Sequence, residues 1–170
     1  MTEQTAAQPG QPADLTTLAV GDVVAERSVT LTRDSLVRYA GASNDFNPIH
    51  YRDDVAAEVG LPGVLAHGML TMGLAIQPVV EALGDPGRVV SYRTKFTKPV
   101  VVDPATGAEV LVRAVVGAVP DDVGVGRIDL EVTSAGEKVL GRAQVRARFA
   151  PGAAAGTASA ATGSASEPGA

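Results

Sequence analysis

The chain has 170 residues, a net charge of −5, 45% hydrophobic and 19% charged residues, and no cysteine. That predicts one globular domain of ordinary size and excludes disulfide frameworks, thiolate metal sites and cysteine nucleophiles. An acidic chain with no basic block, no secretory leader and no apolar run of spanning length predicts a cytoplasmic protein with neither nucleic acid nor membrane as partner.

Residues 1–13 (MTEQTAAQPGQPA) read as a disordered lead. Residues 22–31 predict a first strand. Thr32 is placed to cap a short helix over 33–40, with Leu36, Val37 and Tyr39 as its apolar contacts. Residues 41–48, rich in turn formers, predict no helix. Asp53 is the expected cap of a second short helix over 54–59, closed by Gly60. Residues 68–83 predict the one long helix, about 24 Å at 1.5 Å per residue. Its apolar residues circle nearly the whole circumference, so burial on most sides is expected. Pro78 is the place for a kink. Residues 84–87 end it.

The period then changes to two. Val90, Tyr92, Thr94 and Phe96 alternate with polar residues, as do Ile128, Leu130 and Val132, and then Ala143, Val145, Ala147 and Phe149. Residues 109–119 are almost continuously apolar. These patterns predict antiparallel strands, with residues 134–137 as a hairpin turn. Residues 151–170, which lack any large apolar side chain, read as a flexible tail. Strands following helices predict an α+β domain over residues 14–150. One long apolar helix against one antiparallel sheet is the geometry of a hot-dog fold. The apolar surplus at 109–119 predicts an edge or face covered by a second copy or a partner.

The chain has two histidines, His50 and His67, both just ahead of the long helix. Asp45 precedes His50 by five residues, a spacing that in a helix would separate them by about 140°. Asn47-Pro48 favours an extended residue 47, so the chain can turn and bring acid and imidazole to one point. Such a pair can activate a water or move a proton on and off carbon. Gly68 opens the long helix, where amides lack backward partners and face the positive end of the dipole. A thioester carbonyl there would have its enolate charge stabilised. Structural readings stand beside these. Asp45 and Asn47 suit a turn that bonds its own backbone, His50 suits a surface position, and His67 suits a cap or packing role. Arg142, Arg146 and Arg148 suit a solvated strand face or contact with an acidic carrier protein.

The string from Tyr39 to His50, YAGASNDFNPIH, resembles the hydratase motif of the MaoC-like family, with Asp45, Asn47, Pro48, Ile49 and His50 matching position for position. Gly60-Leu61 and Leu65-Ala-His-Gly-Met69 resemble the family's helix entry. The stretches at 67–71, Gly73 and 84–87 resemble one branch more closely, the catalytic beta subunit of the actinobacterial heterodimeric (3R)-hydroxyacyl-ACP dehydratase. Two positions depart: Asn44 stands where the family has glycine, and Arg52 where it has an acid. Asparagine tolerates positive φ, and Asp53 and Asp54 follow as candidates to replace the missing acid.

The resemblance, which covers roughly residues 18–150, implies a hot-dog hydratase/dehydratase interconverting (3R)-3-hydroxyacyl and trans-2-enoyl thioesters. It implies Asp45 and His50 as the acid/base pair, the Gly68 N–H as oxyanion donor, and Asn47 and His67 as loop support. No metal and no redox cofactor are implied. The implied partners are an acyl-ACP or acyl-CoA substrate and a second hot-dog subunit, either an identical copy or a related chain. A non-catalytic hot-dog subunit and a hot-dog thioesterase are the competing readings, because a fold does not fix a reaction.

Overall fold

The computed structural model describes residues 13–151. The expected lead over 1–13 and tail over 151–170 lie, apart from Ala13 and Pro151, outside the described residues. Strand β1 (Val23–Leu31) runs into helix α1 (Arg33–Ser43). Thr32 caps α1 as expected: its hydroxyl accepts the Ser35 N–H at 3.2 Å, while the Ser35 hydroxyl accepts the Thr32 N–H at 3.3 Å.

Three expectations about the short helices are corrected. Helix α1 extends through Gly41, Ala42 and Ser43, where no helix was expected. Glycine and serine cost a helix only about 1 kcal/mol or less each, so packing overrides them. Val37 faces away from the core, and Leu36 and Ala40 form the buried stripe. Asp53 does not cap helix α2 (Asp53–Glu58); Arg52 holds that position and makes no capping bond. The Asp53 carboxylate instead accepts two bonds from the Arg33 guanidinium, at 2.7 and 3.1 Å. Arg33 also donates from Nε to the Val102 carbonyl at 2.6 Å. One side chain thereby ties α1, α2 and the segment around Val102 together. Gly60, at φ 77°, closes α2 as expected.

Helix α3 (Gly68–Leu83) has the expected bounds and continues through Pro78. The later strands are β2 (Val89–Phe96), β3 (Ala108–Ala118), β4 (Val125–Ser134) and β5 (Glu137–Arg148). They form one antiparallel five-stranded sheet in the order β1-β3-β4-β5-β2. Ala135 and Gly136, both at positive φ, make the two-residue hairpin between β4 and β5. The inner face of the sheet packs on α3 through Val110, Val112, Ile128, Leu130, Val145 and their neighbours. This is the expected α+β, hot-dog architecture of one helix against one sheet.

Burial corrects three further expectations. In the single chain α3 buries one face, through Thr71, Ala75, Pro78, Val79 and Leu83. Met69 is 58% exposed, and Gly73, Gln77 and Glu81 continue its exposed stripe at helical spacing. Strand β3 lies inside the sheet, not at an edge. It alternates, with only Leu111 standing as a large exposed apolar residue on its outer side. The edges are β1 and β2, and register shifts in β2 break its alternation and leave Val90 and Phe96 exposed.

One buried group holds the ends of these elements together. Arg88, 2% exposed, donates to four backbone carbonyls: Leu83 at 2.6 Å, Ala13 at 2.8 Å, Arg148 at 2.9 Å, and Phe149. It joins the C-terminus of α3 to the end of β5 and to the segment ahead of β1. Among the described residues no helix is long and apolar enough to cross a membrane.

Candidate active site

The loop after α1 is built by side chains bonding their own backbone. Asn44, at φ 59°, ends the helix in the left-handed region, so the turn survives without the family's glycine. The Ser43 hydroxyl donates to the Tyr39 carbonyl at 2.7 Å and accepts the Asp45 N–H at 3.3 Å. Asp45 Oδ1 accepts the Asn47 N–H at 3.2 Å, and Asn47 Oδ1 accepts the Ile49 N–H at 3.3 Å. Asn47 thereby caps the 3₁₀ turn Pro48–His50. The turn-forming reading of Asp45 and Asn47 holds for both, and it is what aims the Asp45 carboxylate.

His50 is oriented by backbone. Its Nδ1 lies 2.7 Å from the Leu65 carbonyl, and the Leu65 N–H donates back to the Ile49 carbonyl at 3.1 Å. A carbonyl only accepts, so Nδ1 carries the hydrogen and the neutral ring presents its lone pair at Nε2. Arg52 pairs with Asp54, and Asp53 with Arg33. Neither acid bonds His50; the Leu65 carbonyl does.

His67 is 1% exposed. Its Nε2–H donates to the Asp45 backbone carbonyl at 3.1 Å, and its ring stacks on His50 with centroids 3.8 Å apart and planes 23° from parallel. Tyr39 meets it edge-on at 4.9 Å. Burial lowers the His67 pKa; the Asp45 carbonyl opposes that shift and the neighbouring His50 adds to it. Its Nδ1 is buried without a partner among the described residues. His67 precedes α3 but makes no side-chain capping bond, so packing and the tie to Asp45 define its role.

The Asp45 carboxylate and one nitrogen from each histidine lie within 4.8 Å of one another. That composition could suggest a metal. A zinc-sized ion, however, needs each lone pair aimed at it from about 2 Å. Two stacked imidazoles direct their lone pairs along near-parallel planes, so they converge poorly on one ion. The arrangement suits proton transfer.

Gly68 opens α3 beside this cluster. The Thr71 N–H, bonded to the His67 carbonyl at 3.1 Å, is the first amide of the helix with a backward partner. The Gly68 N–H therefore belongs to the unpaired first turn. A cavity of about 540 Å³ is lined by Tyr39, Ser43, Asp45, His67, Gly68, Met69 and Phe96. The structure thus brings Asp45, His67 and Gly68 onto one space. His50 is not among the lining residues; one of its ring nitrogens lies within 4.8 Å of the Asp45 carboxylate. Sequence reasoning missed the Leu65 carbonyl, the Tyr39 edge and the Phe96 ring. Only Tyr39 carried a signal, as the first residue of the motif string.

A family model described as a MaoC-like domain matches residues 16–134. The mitochondrial 3-hydroxyacyl-[acyl-carrier-protein] dehydratase of Arabidopsis thaliana is 36% identical over 91 residues, which are 53% of this chain and 53% of that protein. A solved MaoC-like dehydratase superposes with a TM-score of 0.77 at 36% identity, covering 84% of this chain and 43% of that one. The unliganded R-hydratase PhaJ1 from Pseudomonas aeruginosa superposes with a TM-score of 0.70 at 26% identity, covering 82% of this chain and 86% of that one. The chain thus spans about half the length of the plant relative and less than half of the first structure.

Proposed function

Because the chain belongs to the MaoC-like domain family, we propose that it is a hydro-lyase of acyl thioesters, interconverting (3R)-3-hydroxyacyl and trans-2-enoyl forms. The observation that carries this reading is the approach of the Asp45 carboxylate and a His50 nitrogen, within 4.8 Å, beside the unpaired first turn of α3.

In the dehydrating direction the thioester oxygen accepts the Gly68 N–H. The C2–H bond breaks as the Asp45–His50 pair takes the proton, and negative charge moves onto that oxygen at the positive end of the helix. The C3–O bond then breaks, C2=C3 forms, and hydroxyl and proton leave as one water held by Asp45. Hydration is the reverse, and the reaction balances with water alone. Asp45 and His50 act on the same water. Asn47 and His67 brace the loop.

The acyl group arrives on CoA or an acyl carrier protein. Phe46 and Met69 stand exposed near Asp45 and Gly68, which supports a second hot-dog subunit, identical or related, covering this face. The cytoplasm is the proposed location, in keeping with the cysteine-free composition.

The test is loss of enoyl absorbance when the protein, alone and with any co-purifying chain, meets trans-2-enoyl-CoA. Asp45→Asn and His50→Gln should each lower the rate about 10²-fold or more. The double variant should lie close to the worse single one, since both groups serve one step. Unchanged rates in the variants would discard the pair. Release of free thiol would favour a thioesterase, and inactivity of the wild type with bound thioester would favour a non-catalytic subunit.

A further inference from the structure

Two cavities meet at one aromatic ring. Beyond the cavity of about 540 Å³ beside Asp45 lies a second, of about 270 Å³. Gly68 and Phe96 line both, and no other described residue does. The second cavity is walled on one side by buried Ala66, Thr71, Val100, Val139 and Leu140, and on the other by exposed Thr97, Lys98 and Pro99. The buried side offers an apolar wall along which a hydrocarbon chain can lie.

Phe96 is the last residue of the edge strand β2 and is 55% exposed. Its ring lies on Gly68: a Cβ added at Gly68 would stand 3.1 to 3.4 Å from three ring carbons. The absent side chain at 68 therefore seats this ring as well as baring an amide. A half-exposed ring at a strand end is free to change rotamer, whereas the buried walls are not.

We propose that Phe96 is a gate that sets acyl-chain length. In the position seen, the ring divides the reaction cavity from the apolar one. Rotated away, it joins them, and the tail of a linear acyl chain passes over Gly68 between β2 and α3. Short chains stay on the Asp45 side, and longer chains must displace the ring. The gate rests on the acyl-thioester reading of the site, but not on that site being catalytically active.

The test uses the full chain as wild type, Phe96→Ala and Phe96→Trp. Calorimetry measures binding of the unreactive butanoyl-, octanoyl- and dodecanoyl-CoA, and turnover is followed on the matching trans-2-enoyl-CoAs. Each methylene admitted to an apolar site raises affinity about fourfold. Phe96→Ala should therefore raise the dodecanoyl-to-butanoyl affinity ratio about tenfold or more, and Phe96→Trp should lower it. Melting temperature reports whether each variant is folded. A ratio in folded Phe96→Ala within about twofold of wild type would overturn the gate. Wild-type turnover with an unchanged ratio sinks the gate alone. A shifted ratio without wild-type turnover sinks the hydro-lyase reading and leaves the gate. No binding of any acyl-CoA sinks both.

Discussion

Replacing Arg88 with methionine keeps most of the apolar stem and removes every donor. Four carbonyls lose a partner, but not equally. The Phe149 carbonyl still accepts the Leu15 N–H at 3.0 Å, and Ala13 is partly exposed, so water can replace the guanidinium there. The loss concentrates on Leu83, an end-of-helix carbonyl with no onward partner, and on Arg148. Hydrogen bonds from a charged donor are worth about 1.5–3 kcal/mol each, so two such losses come to about 3–6 kcal/mol. Release of a guanidinium that burial disfavours, as its lowered pKa shows, returns part of this. The net expectation is about 2–4 kcal/mol, a large share of the 5–15 kcal/mol that typically holds a domain. With an m-value near 2 kcal/mol/M, the urea midpoint should fall by about 1–2 M. Arg88→Lys, whose single ammonium reaches fewer of the four carbonyls, should lose about half as much. A midpoint for Arg88→Met within about 0.3 M of wild type would refute the clamp.

Two further outcomes are expected. His67 is held below its ordinary value of 6.5 by burial, so below about pH 6.5 the unfolded chain binds a proton that the folded one resists. Stability should be full above that pH and fall as the pH drops through this window. His67→Gln should flatten the melting temperature there; an equal slope in the variant would assign the dependence elsewhere. The exposed carboxylates lowered by ion pairing, such as Asp53 and Glu81, act only below about pH 4.5, so the windows separate. At Gly126, an added Cβ would sit 2.5 Å from the fully buried Phe149 ring. Gly126→Ala should cost about 1–3 kcal/mol. Gly126→Ala/Phe149→Leu should recover part of that in thermal melts, and no recovery would place the strain outside this contact.

Where the sequence carried a period, it was legible. The bounds of α3 and the inward residues of β4 and β5 follow from spacing alone. Where a residue answers to distant backbone, it was not. Asp53 has the chemistry of a cap, but Arg33, twenty residues earlier, takes its carboxylate. Arg88 gave no signal, because its partners are carbonyls, which every residue carries. The apolar circumference of α3 suggested burial on most sides, yet one sheet covers only one face. Within the site, the Asp45–His50 convergence was readable from a proline and a spacing. The stacking of His67 on His50 was not, because it depends on where the chain returns after α2.

The bond that steers His50 has a consequence for how this site tolerates change. A carboxylate that orients a histidine is lost by one substitution; a main-chain oxygen is not. With Leu65 holding the imidazole through its carbonyl and the preceding loop through its amide, the ring's orientation does not depend on the side chain at position 52. Arg52 pairs with Asp54 on the surface, apart from the bond that steers the ring, so a change there should leave the reaction centre as it is.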